Sequence, residues 1–248
     1  MKKSLLAEAK RFRKSIGTKN ESSLHRTLKF QYTGRGGRSE VEVGEFVADG
    51  IRSDGEFIEV QTGSFAPLKK KVKEFTASST RSVASSTRSA ASVRIIHPIA
   101  VNKRIEVFST EGKLLYKRKS PLHGSIWSVF DALLGAPTLP LTKGVIIEVI
   151  LCDITEKRVK DGKGSWRRKG ISIRDKELSI LHESKVFSKP KDFLQFIPFK
   201  KGEEFTVSSL EKQAKINKST AQKALYVLAK MNVVKKVGKK GRAWVYKR

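Results

Sequence analysis

The sequence predicts an α/β protein, in which a mixed β-sheet with flanking helices is followed by a small basic C-terminal domain. Short runs rich in β-branched residues alternate with segments where apolar residues recur every three or four positions. The length of 248 residues is compatible with one large domain, or with one domain plus a small companion. Pro190 and Pro198, followed by Lys200-Lys201-Gly202, mark a boundary near residue 200.

The charge balance indicates a polyanionic partner. The chain has 52 Lys and Arg against 24 Asp and Glu, a formal net charge of +28, and such an excess attracts nucleic acid or an anionic membrane. The best apolar run, Val145 to Leu151, contains Glu148 and is far shorter than the roughly 20 residues that span a bilayer. We therefore expect a cytoplasmic protein that binds DNA and no membrane, with a homodimer as one compatible arrangement.

Two segments of low complexity flank the predicted first helix and sheet. Residues 1–17 form a basic leader that ends at Gly17, and residues 18–199 form the main domain. Residues 77–90 are a tandem heptad, ASSTRSV followed by ASSTRSA. Ser and Thr side chains compete for backbone hydrogen bonds, so the repeat (77–92) is expected to be a loop or a weak helix.

The rest of the main domain gives weaker signals. The predicted elements are strands at Val93–Ile96, Arg104–Phe108, Leu114–Lys117 and Val145–Leu151, a helix at Ile126–Leu134, and a basic loop over 157–174. The turn residues Thr110–Lys113 favour a hairpin between the second and third of these strands.

The C-terminal residues 200–248 predict two helices and a hairpin. Ser208 and Glu211 have the spacing of a capping box, and Ser219 is placed to cap the second helix. Val233–Val237 and Ala243–Tyr246 read as two strands around a basic tip. The buried stripe of the second helix is expected to consist of Ala221, Ala224, Leu225, Leu228 and Met231.

This order of elements resembles a winged helix-turn-helix. In that family the second helix enters the major groove and the wing follows the DNA backbone. The resemblance implies DNA contacts from the helix and the wing, namely Lys218, Thr220, Gln222, Lys223, Lys239, Lys240 and Arg242. The alternative is a solvated charged face on a module that binds other proteins.

A carboxylate accompanies the apolar stripe of the first predicted helix. Thr18 or Asn20 is placed to cap it, and Leu24, Leu28 and Tyr32 form its stripe. Glu21 lies three residues before Leu24 and so shares the inward side. A carboxylate there is costly unless it caps the helix or meets a cation.

Two further carboxylates are predicted to meet on a hairpin. Val41 to Ile51 reads as extended, and Ser53-Asp54-Gly55 offers a three-residue turn. Arg52 then pairs with Glu56, and counting outward puts Asp49 opposite Glu59, with their Cβ atoms about 4.5–5.5 Å apart. Glu59 and Gln61 share one face while Ile58 and Val60 share the other. A bound divalent cation would turn the repulsion into a ligand pair, whereas the simpler alternative is a surface pair around a tight turn.

Glu21, Asp49 in VADG, and Glu59-Val60-Gln61 resemble the motif of the PD-(D/E)XK nuclease superfamily, and of its resolvase-like members in particular. The resemblance implies a restriction-endonuclease-like fold that hydrolyses phosphodiester bonds. Asp49 and Glu59 would hold Mg²⁺ or Mn²⁺ through oxygen, and Glu21 would complete the metal shell or orient its waters.

One residue departs from that motif. Gln61 stands where the family has lysine, and it carries no charge for the transition state. Lys69, Lys70 and Lys73 on the following helix are candidates to reach the phosphate, or they are simply its solvated face. The sequence therefore predicts either a metal-dependent DNA endonuclease or a non-catalytic DNA-binding regulator on a degenerate nuclease fold. An RNA-binding module is less favoured, because no aromatic-bearing RNP motif is present.

Overall fold

The computed structural model describes residues 21–81 and 92–248 and has a mixed α/β architecture. The basic leader and most of the Ser/Thr/Arg repeat fall outside the described residues, although the first five residues of the repeat, 77–81, continue a helix. None of the helices in the described part is long and apolar enough to cross a membrane.

The helices and strands alternate along the chain. The α-helices are α1 Ser23–Thr33, α2 Leu68–Arg81, α3 Val129–Leu133, α4 Val207–Ala214 and α5 Lys218–Lys230. The strands are β1 Arg38–Val43, β2 Phe46–Ile51, β3 Phe57–Val60, β4 Val93–Phe108, β5 Leu114–Lys119, β6 Val145–Lys160, β7 Ile171–Phe187, β8 Glu204–Phe205, β9 Lys235–Lys240 and β10 Ala243–Lys247. Short 3₁₀ helices lie at Ile126–Ser128, Leu139–Leu141, Trp166–Arg168 and Pro190–Phe196.

Seven strands form one mixed sheet in the order β1-β2-β3-β4-β6-β7, with β5 paired to β4. The neighbours β3, β4 and β6 run parallel, and the other pairs are antiparallel. The predicted extended run from Val41 to Ile51 is divided between β1 and β2 by a turn at Gly44, where φ is +58°.

Three predicted strands are parts of longer ones. The runs at Val93–Ile96 and Arg104–Phe108 belong to the single strand β4, and the run at Val145–Leu151 continues to Lys160. Asn102, which lies between the first two runs, is at a register shift in the β4–β6 ladder, where its amide donates to Asp153. A bulge therefore bends the strand without ending it.

The expectation of a basic loop over residues 157–174 was wrong at both of its ends. The β6–β7 ladder continues to the pair Lys160 and Ile171, so that only residues 161–170 connect the strands. Ladder hydrogen bonds join backbone groups, and charged side chains are tolerated on a solvated strand when they pair. Lys157, for example, lies 2.7 Å from Glu177 on the neighbouring strand.

Helices α1 and α2 cover opposite faces of the sheet. Leu24 and Leu28 pack with Ile58 and its neighbours in one cluster. Successive residues of a strand point to opposite faces, and Phe57 belongs to the other cluster, with Leu68, Val72 and Phe75 of α2. The predicted stripe of α1 is therefore confirmed.

The first helix begins later than predicted. Ser22 is its N-cap and accepts from His25 N, whereas Thr18 and Asn20 lie outside the described residues. Asp175 of β7 adds a second cap, because its Oδ1 accepts from Ser23 N at 2.8 Å. Asp175 thus fixes the start of α1 on the sheet.

The C-terminal residues form α4, α5 and a three-stranded sheet in the order β8-β10-β9. The predicted buried stripe of α5 is confirmed, but both predicted caps were wrong. Thr206 caps α4 in a capping box with Ser209, and Asn217 caps α5 by accepting from Thr220 N. Each of these side chains stands two residues before the predicted cap, directly before the first helical turn.

This C-terminal module packs on the main domain through apolar side chains. Phe205 and Leu210 share one continuous hydrophobic cluster with Phe130 and Phe196. Lys223 of α5 also lies 2.7 Å from Asp131 of α3. The boundary near residue 200 therefore joins two parts that share a core.

His97 of β4 lies beneath the segment that follows β3. Its Nδ1 lies 2.6 Å from the carbonyl oxygen of Gln61, which can only accept, so the ring donates from Nδ1. Burial lowers the pKa of His97 below its ordinary value of 6.5.

We predict that this histidine contributes to acid sensitivity. Because the unfolded chain takes up the proton first as pH falls below 6.5, the free energy of unfolding should decrease between 6.5 and the lower folded pKa. His97→Gln should flatten that dependence in urea titrations run from about pH 7 to pH 5. His123→Gln, at an exposed ring, is the control, and equal slopes in both variants would contradict the assignment.

Candidate functional site

The hairpin between β2 and β3 has the predicted register. Arg52 N donates to Glu56 O at 2.9 Å, and Gly55 has φ +89°, the left-handed conformation the turn requires. Ile51 pairs with Phe57 and Gly50 pairs with Ile58. The next step of this register brings Asp49 to Glu59.

The two carboxylates lie together where the β2–β3 ladder ends. Asp49 N donates to Glu59 Oε1 at 3.1 Å, and Val60 N donates to Asp49 Oδ2 at 2.7 Å. Each side chain thus accepts from a backbone N–H of the opposite strand. This exchange fixes both acids at one end of the hairpin.

Their electrostatics differ although they are neighbours. Burial, and after it the charge of Asp49, raises the pKa of Glu59 to about 7. Burial also opposes ionisation of Asp49, but the hydrogen bond and charge of His25, the Val60 amide and the charge of Lys71 hold its pKa below the usual range. A proton shared at this site is therefore held by Glu59 in preference to Asp49.

A lysine that the sequence analysis did not select reaches Glu59. Lys71 Nζ lies 2.7 Å from Glu59 Oε2, while Lys69, Lys70 and Lys73 of the same helix are exposed. Leu68, Lys71, Val72 and Phe75 follow the spacing i, i+3, i+4, i+7 of one helical face. That spacing distinguishes Lys71 from the other lysines and was available in the sequence.

On the opposite face of the sheet, α1 contributes a histidine. His25 Nε2 lies 3.0 Å from Asp49 Oδ2 and 3.3 Å from Glu21 Oε1. Glu21 precedes the helix and also pairs with Lys29 Nζ, 3.0 Å from its Oε1. Although that oxygen is buried close to two basic nitrogens, it accepts no hydrogen bond of good geometry. His25 links Glu21 to the carboxylate pair.

Gln61, which occupies the position of the family's lysine, bonds to the backbone of the segment after β3. Its side-chain amide donates to the carbonyl of Ser64 at 2.6 Å, and its own carbonyl accepts from His97. These bonds shape the connection between β3 and α2. Lys71 therefore supplies the positive charge that the residue at position 61 lacks.

The acids are suitable donors for a hard cation, but their present contacts are with other groups. Carboxylate oxygens are the ligands that Mg²⁺ and Mn²⁺ prefer. Within residues 21–81 and 92–248, no three side chains of the His, Cys, Asp or Glu types are grouped so as to hold a metal ion. Metal binding by Asp49 and Glu59 would therefore require Lys71 and His25 to move.

A second surface is formed by the C-terminal module. Lys218 and Gln222 of α5 are exposed one helical turn apart, and Thr220 is half-buried beside them. Lys223 instead points towards the main domain, where it pairs with Asp131. The exposed side of α5 is basic and polar at its N-terminal end.

The β9–β10 hairpin is basic and exposed. Lys239 and Lys240 lie at the end of β9, and Arg242 lies in the turn. Trp244, which the sequence analysis did not select, is exposed between two ammonium groups. Lys236 Nζ is 4.6 Å and Lys239 Nζ 4.7 Å from its ring centroid.

We predict that Lys71 is needed to keep Glu59 buried as an anion. Lys71→Met should lower the free energy of unfolding by about 1–3 kcal/mol, because it removes the charged partner of a buried carboxylate. Lys70→Met is the matched control at an exposed neighbour and should change little. Urea denaturation measures both, and equal losses would exclude a special role for Lys71.

Sequence comparisons match most of the main domain to other proteins. A protein from Treponema pallidum (strain Nichols), described as uncharacterized, is 27% identical over 173 residues, which cover 70% of this chain and 64% of that relative. This chain thus spans less than two thirds of the relative's length. No solved structure matches the present chain significantly. Residues 22–188 match a family described as a domain of unknown function, DUF8091, and since they make up more than half of the chain, the protein belongs to that family.

Proposed function

We propose that this protein binds duplex DNA and hydrolyses its phosphodiester bonds with the help of a divalent cation held by Asp49 and Glu59. The observation that carries the proposal is the adjacency of these two carboxylates at the end of the β2–β3 ladder, with an ammonium group beside them. PD-(D/E)XK nucleases, which the sequence resembles, combine paired acids with a lysine, and here the lysine comes from α2 instead of the hairpin.

The residues fit a bound Mg²⁺ or Mn²⁺ ion by two criteria. Glu59 has a raised pKa because burial and the charge of Asp49 oppose its ionisation, and a cation relieves both effects. The buried Glu21 Oε1, which lacks a good hydrogen bond, supplies an oxygen that can complete a metal shell or orient water. When bound, the ion would lower the pKa of a water molecule and neutralise charge on the phosphate.

The side chains themselves have separate roles in this proposal. Asp49, with its lowered pKa, stays ionised and fixes the position of the site through the Val60 amide. Lys71 is held by Glu59 and would be free to contact the scissile phosphate if Glu59 held a cation instead. His25 lies between Glu21 and Asp49 and fixes their relative position.

The C-terminal module supports the DNA-binding half of the proposal. It combines a helix pair, a basic exposed hairpin and an exposed polar helix start, and this combination resembles a winged helix. A net charge of +28 attracts the DNA backbone over long range. Lys218, Thr220 and Gln222 would face the major groove, while the β9–β10 hairpin would contact phosphates.

A second candidate function is DNA binding without cleavage. One observation favours it: Lys71 and His25 already neutralise the two acids at hydrogen-bonding distance. A protein that has lost catalysis is stabilised by such internal pairs. The two functions differ in whether the acids can exchange these partners for a metal ion.

We predict metal-dependent cutting that depends on the carboxylate pair. With supercoiled, linear or branched DNA and Mg²⁺ or Mn²⁺, the protein should produce nicks or breaks. Asp49→Asn and Glu59→Gln should each lower the rate by about 100-fold or more, because charge stabilisation at the transition state is lost. Glu45→Gln, at an exposed position of the β1–β2 turn, should cut normally.

The second function, a DNA-binding regulator without catalysis, would be favoured by two results together. All variants would bind DNA, and the wild type would not cut it under any of these conditions. Isothermal titration with Mn²⁺ alone gives a separate readout. Binding by the wild type that is lost in Glu59→Gln supports the metal site.

We also predict that the β9–β10 hairpin binds DNA phosphates. Changing Lys239, Lys240 and Arg242 together to Gln should lower the slope of log K against log salt by about 0.9 for each phosphate that the hairpin no longer neutralises. A control triple at the exposed Lys143, Lys189 and Lys191 removes the same charge elsewhere. Fluorescence anisotropy on a short duplex measures both slopes, and an unchanged slope in the hairpin variant would exclude it from the DNA interface.

A further inference from the structure

The loop that joins β6 to β7 carries an exposed tryptophan surrounded by positive charge. Residues 160–174 contain six Lys or Arg and a single acid, Asp161. Trp166 is 83% exposed, and the Arg167 guanidinium lies 5.5 Å from its ring centroid. A large aromatic ring so exposed gains nothing for folding and offers its face to a ligand.

The loop is held in one shape. Asp161 Oδ2 accepts from Ser172 Oγ at 2.6 Å and from Arg174 at 2.9 Å, across the base of the loop. A Cβ at Gly164 would lie 2.0 Å from the carbonyl oxygen of Ile171, so the backbone passes too close for any other residue. Trp166 is therefore presented on an ordered support, which limits the entropy lost on binding.

We propose that this loop is a second DNA contact, in which Trp166 stacks on an unpaired base while neighbouring cations contact the flanking phosphates. Stacking needs a free base face, which an intact duplex offers only at ends, gaps or branches. Lys163, Arg167 and Lys169 of the same loop are exposed. A basic groove with an aromatic platform is the combination that binds single strands.

The chemistry of the loop favours DNA over a lipid surface. Between residues 161 and 170, Trp166 is the only large apolar side chain. Interfacial anchoring grows with the apolar area that enters the membrane, so one ring supports it weakly. Stacking, by contrast, needs only one ring for each base.

The sheet sets the spacing between this loop and the carboxylates. Glu59 pairs with Ile95, which pairs with Ile147 of β6. From Ile147 to Lys160 the strand runs 160 − 147 = 13 residues, or up to about 43 Å. With about 3.4 Å per base pair, DNA that runs along this strand and contacts both would span at most about 13 base pairs. The inference rests on the proposed function and specifies its substrate: a duplex that carries a single-stranded segment roughly one helical turn from the site of cleavage.

Binding in EDTA, where no cutting occurs, tests this loop. A labelled blunt duplex is compared with the same duplex bearing a single-stranded tail, using full-length wild type, Trp166→Ala and Trp166→Phe. The tail should raise the affinity of the wild type, Trp166→Ala should reduce that gain by about fivefold or more, and Trp166→Phe should keep most of it. Blunt-duplex affinity should stay within about twofold in both variants, since only the two terminal base pairs offer a free face there.

The inference fails if the tail gives no gain or if Trp166→Ala keeps it. It also fails if phosphatidylserine vesicles bind through Trp166 while tailed-DNA binding is unchanged in Trp166→Ala. If the wild type binds the blunt duplex through the β9–β10 hairpin and Trp166→Ala binds tailed DNA as the wild type does, only the contact through the β6–β7 loop is excluded. If the wild type binds neither DNA, the proposed function fails with it. Thermal unfolding of the variants confirms that this exposed position leaves the fold intact.

Discussion

Two like charges buried side by side, Asp49 and Glu59, are the constraint on which the centre of the molecule depends. Each accepts a backbone N–H from the opposite strand, so neither side chain can turn away without leaving a donor unpaired. Helix α2 supplies Lys71 from one face of the sheet, and α1 supplies His25 from the other. The docking of both helices is thus coupled to the charge state of one hairpin.

The parts of this site that the sequence could predict are those set by short-range geometry. The turn at Ser53–Gly55 fixes a register that can be counted outward to Asp49 and Glu59. Lys71 was also accessible, because it shares the helical spacing of Leu68 and Phe75. His25 could not be assigned from sequence, since its contact with Asp49 depends on where α1 lies on the sheet, and that position is set by a distant residue, Asp175.

The fold was predicted at the level of its class and less well in its strand lengths. The segment between the two predicted runs of β4, with Asn102, and the charged residues Lys157–Lys160 were not predicted as strand, yet both lie within long ladders. Pairing with a neighbouring strand satisfies the backbone there whatever the side chains prefer. The helix caps of the C-terminal module were misplaced for the opposite reason. Several Ser and Thr residues compete near each start, and only the backbone geometry selects Thr206 and Asn217.

The hydrophobic cluster that unites the two parts of the chain has a consequence for the family. The region shared with DUF8091 ends at residue 188, but Phe130 and its neighbours pack against Phe193 and Phe196, which come later. A relative that stopped at the same point would leave this aromatic surface open to water, where it would promote aggregation. Each such protein must therefore cover this aromatic surface with a C-terminal segment of its own or with another subunit. Members of the family can differ in this covering part while they share the same sheet.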